Sequence, residues 1–110
     1  MKQYVLDQLR ESDCDDIEEF LKKNAEPTVF SEVFRVRLPE DLYTDVQKEH
    51  SECYPFYFAV NLSHGKVAFE LLIRSQQIIR CSCIRYADTK QREYILNYAD
   101  QMLDELNIRI

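Results

Sequence analysis

Glycine is nearly absent from this sequence. Gly65 is the single glycine among 110 residues, whereas average usage predicts roughly seven or eight. Loops that cradle phosphate groups need several glycines, because their backbone amides must approach the phosphate closely and adopt positive φ. One glycine allows no G-x-G-x-x-G fingerprint, no Walker A loop and no G-x-S-x-G elbow. The sequence therefore excludes dinucleotide-binding, P-loop and α/β-hydrolase functions.

Long apolar runs are also missing. No stretch approaches the roughly 20 apolar residues that span a bilayer. The opening segment, Met1–Asp7, lacks the apolar core of about 7–15 residues that a signal peptide needs. Hydrophobic residues nevertheless make up 45% of the chain, which argues against intrinsic disorder. We therefore expect one globular domain over residues 1–110, located in the cytoplasm and without membrane contact.

The cysteines do not predict a disulfide framework. An even number of cysteines can indicate disulfides, but a secreted framework requires an export signal. A bond between Cys81 and Cys83 is disfavoured as well, since strand residues at i and i+2 lie near or beyond the roughly 7 Å Cα limit. We expect reduced thiols at all four positions, which are Cys14, Cys53, Cys81 and Cys83.

Helical patterns lie near both ends of the chain. Ser12 is a candidate N-cap for a helix over Asp13–Asn24, which has acidic residues in its first turn and lysines in its last. The sequence Asp88-Thr89-Lys90-Gln91 resembles a capping box, and an apolar stripe at i, i+4 and i+7 follows it. These signals predict a longer helix from about Thr89 to Asn107.

The middle of the chain alternates apolar and polar residues, which predicts strands. One strand is predicted within residues 29–38. The pattern over residues 54–74 predicts a hairpin around the Ser-His-Gly-Lys turn. A further strand is predicted over Ile78–Tyr86, where a bulge or burial on both faces would explain imperfect alternation. Residues 39–52, with a Thr-x-x-Gln start signal, predict one or two short helical turns, and residues 4–9 fit either a strand or a helical turn.

These elements predict an α+β fold. Strands joined by tight turns are antiparallel, and two amphipathic helices need a face to cover. We expect a four- or five-stranded, mostly antiparallel sheet, with the N-terminal helix and the long C-terminal helix packed on one face.

Charge is segregated between the predicted elements. The net charge is −6, yet the strand segments 29–38 and 54–86 carry +1 and +3, and the remaining residues carry −10. On the predicted alternation, the arginines point away from the face that the helices cover. The opposite face then presents arginine forks, which suit carboxylate or phosphate, and a tyrosine, which gives a rigid contact surface. The candidate binding residues are Arg35, Arg37, Tyr57, Arg74 and Arg80.

Three interpretations of this arginine face stay open. It could be a solvated surface whose arginines pair with Glu70, a contact surface for a protein partner or a homodimer, or a site for an anionic small ligand or nucleic acid. The overall acidity counts against nucleic acid, because the acidic helices would oppose phosphate neutralisation. The leading hypothesis is a small cytoplasmic binding or adaptor protein that acts through protein–protein contacts, without a cofactor and without catalysis.

One group of residues has metal-ligand character. His50-x-x-Cys53 has a spacing that suits a Zn²⁺ pair, and Cys81 and Cys83 on a strand would direct both sulfurs to one face. Buried cysteines more often act as small hydrophobic residues. A nucleophilic Cys53 would need His50 or His64 within hydrogen-bond reach, and the sequence does not place either there. The alternative function is therefore a metal- or thiol-dependent protein that uses His50, Cys53, Cys81 and Cys83.

Overall fold

Seven strands and three α-helices form the computed structural model, which describes residues 1–110. In chain order they are β1 (Gln3–Leu6), α1 (Glu11–Asn24), β2 (Glu26–Pro27), β3 (Val33–Arg37), α2 (Asp45–Glu49), β4 (Phe56–Ser63), β5 (Lys66–Glu70), β6 (Leu72–Ser75), β7 (Arg85–Tyr86) and α3 (Thr89–Glu105). Short 3₁₀ turns at Glu40–Leu42 and Ser51–Cys53 flank α2. No helix combines the length and the hydrophobicity that spanning a bilayer requires.

The sheet is open, and all of its strand pairs are antiparallel. Its main order is β1-β5-β4-β3-β2, while β6 pairs with β4 and β7 pairs with β6. The α+β class, the antiparallel sheet and the C-terminal helix are thus confirmed. The expected four or five strands are too few, since the sheet has seven.

Part of this difference arises at Leu71, where the strand expected to follow the hairpin divides into β5 and β6. The Leu71 N–H donates to the carbonyl of Lys2 at 3.1 Å, and its carbonyl accepts from the Ala87 N–H at 2.7 Å. Phe69 and Arg74 are five positions apart in the sequence. Their partners on β4, Val60 and Tyr57, are only three positions apart. The two extra residues bend the chain, so that β5 pairs with β1 and β6 pairs with β7.

The prediction of a strand over Ile78–Tyr86 is largely wrong. Only Arg85–Tyr86 forms a strand, and residues 76–84 form bends and turns. The Ser75 hydroxyl accepts hydrogen bonds from the backbone N–H groups of Gln77 and Ile78 at 3.0 and 3.1 Å. These bonds fold the backbone directly after β6 and end its ladder with β4.

Local capping signals fix the helix starts. Asp88 accepts from the Gln91 N–H at 2.9 Å and begins α3 as predicted. The first helix begins at Glu11, two residues earlier than expected, because the Asp13 carboxylate accepts from the Arg10 N–H and Ser12 is not the cap. The Arg10 guanidinium also bonds this carboxylate and lowers the pKa of Asp13. Residues 3–6 form a strand, which settles the open choice for the N-terminal segment.

One face of the sheet forms the core with the helices. Phe58 is fully buried, and the rings of Tyr94 and Tyr98 from α3 meet it edge-on at centroid distances of 6.4 and 5.8 Å. Tyr98 also contacts Phe69 of β5 and Phe20 of α1. The other fully buried side chains of this cluster include Ile17, Leu21, Phe56, Val60, Ile73, Ile95 and Met102.

Removing the Phe58 ring should destabilise the protein strongly. Phe58→Ala leaves a cavity between β4 and α3, and we expect the free energy of unfolding to fall by about 3–5 kcal/mol. Urea unfolding followed by circular dichroism measures this change. As a control, Val29→Ala, at a side chain that is 94% exposed, should change the value by no more than about 0.5 kcal/mol. Equal effects of the two variants would contradict the described core.

Candidate metal centre

His50 and Cys53 are placed by the end of α2. Thr44 caps this helix, since its hydroxyl accepts from the Gln47 N–H at 3.2 Å. The His50 N–H then donates to the Gln47 carbonyl at 3.0 Å, and the Cys53 N–H donates to the His50 carbonyl at 2.9 Å. Side chains at i and i+3 of a 3₁₀ turn lie on the same side. The His50 and Cys53 side chains therefore face the same way.

Cys81 and Cys83 lie in a turn and not on a strand, which corrects the sequence-based prediction. The Ile84 N–H closes this turn by donating to the Cys81 carbonyl at 3.0 Å. The Ser75 hydroxyl donates to the Cys53 carbonyl at 2.5 Å and ties the start of segment 76–84 to the 3₁₀ turn. The Gln76 N–H also donates to the Pro55 carbonyl at 3.1 Å, so that a hydroxyl contact and a backbone contact hold the two cysteine-bearing parts of the chain together.

These contacts bring the four predicted ligands into one cluster. One ligand atom from each of His50, Cys53, Cys81 and Cys83 lies within 4.8 Å of all the others. His50 Nδ1 and Cys81 Sγ are 3.1 Å apart. Cys53 and Cys83 are fully buried, and His50 and Cys81 are half-buried. We call this group the thiol–imidazole cluster.

The three thiols differ in their tendency to ionise. The backbone N–H of Cys83, hydrogen-bonded to the Cys81 sulfur, is the main cause that lowers the pKa of Cys81 to about 6. Burial raises the pKa of Cys83 to about 12 and also raises that of Cys53. The Cys83 amide thus favours the thiolate form of Cys81, while burial disfavours the thiolate forms of Cys53 and Cys83. Full ionisation of all three would require a cation between them.

Two buried glutamines form hydrogen bonds next to the cluster. The Gln47 side chain donates to the Cys83 carbonyl at 3.2 Å, and its Oε1 accepts from Gln91 Nε2 at 2.9 Å. Gln91 Nε2 lies equally close to the Leu42 carbonyl, at 2.9 Å. Both glutamines are only 1% exposed. This amide network connects the starts of α2 and α3 to the turn that carries the cysteines.

The sequence contained a signal for these glutamines but not for their joint role. Each occupies the third helical position of a capping box, where its side chain accepts a hydrogen bond from the N–H of the cap residue. Gln47 accepts from Thr44 at 3.0 Å, and Gln91 accepts from Asp88 at 3.1 Å. A capping box predicts this local bond alone. The contacts across 36 and 44 residues depend on how the helices pack.

The remaining cysteine and histidine lie elsewhere. Cys14 is on α1, and its thiol is free. His64 occupies the hairpin turn between β4 and β5, next to Gly65, whose φ is +78°. Neither residue belongs to the thiol–imidazole cluster.

The candidate arginine face is distributed over strands and one turn region. Tyr57 is paired in register with Arg37 on one side and Arg74 on the other, and Arg35 is paired with Ala59. Directly paired residues share a face of the sheet. Arg80 lies in segment 76–84, outside any strand. A binding role for Arg35, Arg37, Tyr57, Arg74 and Arg80 stays a prediction.

Comparison of the chain with known proteins gives no relative. No protein-family model matches the chain, and neither the curated proteins nor the solved structures contain a match. Function is therefore inferred from the geometry of the site.

The amide network should contribute to stability through Gln47. In Gln47→Leu, a side chain of similar size leaves the buried carbonyl of Cys83 without its donor, and we expect the free energy of unfolding to fall by about 2 kcal/mol. The matched control is Gln101→Leu, at an exposed position of α3, for which we expect a change within about 0.5 kcal/mol. Chemical denaturation of both variants distinguishes these outcomes. An unchanged Gln47→Leu protein would show that the network is energetically neutral.

Proposed function

We propose that the protein is a zinc-binding protein, in which the thiol–imidazole cluster holds one Zn²⁺ through three sulfurs and His50 Nδ1. The observation that carries this proposal is the convergence of four ligand atoms within 4.8 Å. Tetrahedral zinc with Zn–S bonds of about 2.3 Å places its sulfurs about 3.8 Å apart. Small side-chain rotations would bring the cluster to that spacing.

The ligand types favour zinc over other common ions. Thiolate and imidazole are soft or borderline ligands, which suit zinc, whereas calcium and magnesium require oxygen ligands. The cluster contains three sulfurs and one nitrogen. A divalent cation would also stabilise the thiolate form of the buried Cys53 and Cys83.

The number of ligands favours a structural role. Catalytic zinc sites usually have three protein ligands and keep one position open for water or substrate. Four ligands from the chain fill the tetrahedron, so that no hydrolytic activity is proposed. The ion would fix segment 76–84, which has no strand ladder of its own, against the end of α2.

The wider role that fits this site is that of a non-catalytic binding protein in a reducing compartment such as the cytoplasm. All four cysteines are free, and zinc-bound cysteines persist where thiols are kept reduced. The net charge of −6 favours a monodisperse, soluble protein that meets its partners through local patches.

Zinc stoichiometry tests the proposal directly. Protein purified without chelators should contain one equivalent of zinc by elemental analysis, and cobalt substitution should give the thiolate charge-transfer and visible bands of tetrahedral sulfur coordination. Cys53→Ser, Cys81→Ser and Cys83→Ser should each weaken zinc binding by at least about 100-fold in competition with a chromophoric chelator. Cys14→Ser is the matched control and should bind zinc as the natural protein does.

The two histidines provide a second matched pair. His50→Ala removes a proposed ligand and should weaken zinc binding and shift the cobalt spectrum, while His64→Ala should change neither. Less than a tenth of an equivalent of zinc after reconstitution, or equal affinities for the two histidine variants, would overturn the proposal.

Removal of zinc should also destabilise the fold. A ligand that binds only the native state at 1,000 times its Kd adds about 4 kcal/mol to the free energy of unfolding. We therefore expect the Tm to fall when zinc is chelated and to recover when zinc is restored. Cys83→Ser should show a smaller response to chelator, because its incomplete site binds zinc more weakly.

A further inference from the structure

A cavity of about 620 Å³ lies on the sheet face opposite the core. One wall is the connection between β2 and β3, which contributes Val29 and Phe30. The floor is formed by strand residues, among them Arg35, Tyr57 and Arg74. This volume falls within the roughly 300–1,000 Å³ of ligand-binding pockets. The cavity shares no residue with the thiol–imidazole cluster.

The apolar wall is exposed although its backbone is fixed. Val29 is 94% exposed and Phe30 is 63% exposed. The Thr28 hydroxyl donates to the Val33 carbonyl at 2.9 Å and accepts from the Phe30 N–H at 3.1 Å. The connection therefore holds two large apolar side chains in water at a defined position. Exposed apolar groups beside a cavity are typical of a contact surface.

Both carboxylates on this face already have partners. Glu70 accepts from Arg74 Nε at 3.2 Å and from Asn61 at 3.3 Å. On the edge strand β2, Glu26 binds Arg37 Nε at 2.6 Å and lies 3.4 Å from Gln76 Nε2.

Of the three arginines on strands β3 and β6, which are Arg35, Arg37 and Arg74, Arg35 alone has no carboxylate partner. Its guanidinium lies over the ring of Tyr57, with its central carbon 5.3 Å from the ring centroid, and it forms no salt bridge within the molecule. The Arg74–Glu70 and Arg37–Glu26 pairs are neutral overall. The cavity therefore carries one uncompensated positive charge in a protein whose net charge is −6.

We infer that this cavity binds a peptide segment of a partner protein in which an acidic side chain lies next to an aromatic or aliphatic one. Arg35 would pair with the carboxylate through its forked N–H groups, which suit bidentate carboxylate binding. Val29 and Phe30 would cover the neighbouring apolar side chain. Tyrosine, arginine and phenylalanine are the residue types that are enriched at the centres of protein interfaces.

The charges of the molecule favour this partner over two others. Nucleic acid binding requires several phosphate contacts, and this face offers one uncompensated guanidinium. A second copy of this chain would also carry a net charge of −6. The repulsion between the two copies opposes their association. A short acidic segment supplies the complementary carboxylate without a large opposing charge.

A displayed peptide library tests the inference with the 110-residue chain as purified. Random dodecapeptides on phage are selected on the natural protein and counter-selected on Arg35→Gln. We expect the enriched peptides to contain Asp or Glu beside an aromatic or aliphatic residue. A synthetic copy of the best peptide should shift backbone amide signals at 28–35, 57–59 and 70–74 in heteronuclear NMR spectra.

Substitutions in the protein and in the peptide distinguish recognition of the charge from non-specific binding. Arg35→Gln should weaken binding of the synthetic peptide by at least about tenfold, as should replacing its acidic residue with the matching amide. Arg92→Gln, at an exposed position of α3, is the control and should bind with unchanged affinity. Zinc content and Tm of both variants should equal those of the natural protein.

Several results would overturn the inference. They are enriched peptides that lack an acidic residue, equal affinity of the acid and amide peptides, and amide shifts confined to other surfaces. Sedimentation that shows a dimer broken by Arg35→Gln would also overturn it, because a second copy would then be the occupant. None of these results depends on whether the thiol–imidazole cluster holds zinc.

Discussion

Segment 76–84 has no strand partner, and the arrangement of one end of the molecule depends on how that segment is held. Three polar contacts tie this segment, or Ser75 directly before it, to the region around α2: Ser75 to the Cys53 carbonyl, Gln47 to the Cys83 carbonyl, and His50 to the Cys81 sulfur. Their partners all lie in residues 44–53, around α2. The same contacts that position the loop therefore assemble the thiol–imidazole cluster. A bound ion there would reinforce an arrangement that hydrogen bonds already favour.

The metal-ligand candidates and the arginine face carry different chemistry. The thiol–imidazole cluster is half-buried to fully buried, and its proposed role is to join two parts of the same chain. The cavity that Arg35 lines is open to solvent and lies over the middle strands. It carries a positive charge that no carboxylate of the chain pairs with. A structural metal site and a separate contact surface are compatible in one small domain, because neither uses the side chains of the other.

Features determined by nearby residues were predictable from sequence, and those determined by distant contacts were not. The capping boxes of α2 and α3 and the hairpin at Gly65 were predictable because a few adjacent residues specify them. The division at Leu71 was not, because its partners are Lys2 and Ala87. The four metal-ligand candidates could be selected by residue type and spacing. Their convergence could not, since it depends on a turn at Cys81–Ile84 where alternation suggested a strand.

The two extra residues between β5 and β6 have a consequence for how this chain can change in length. Because the offset is even, Ile73 keeps its side chain in the core and Arg74 keeps its side chain on the open face. Successive strand residues point to opposite faces, so an insertion or deletion of one residue at Leu71 would exchange these two orientations. Natural homologues that vary at this bend should therefore differ by pairs of residues.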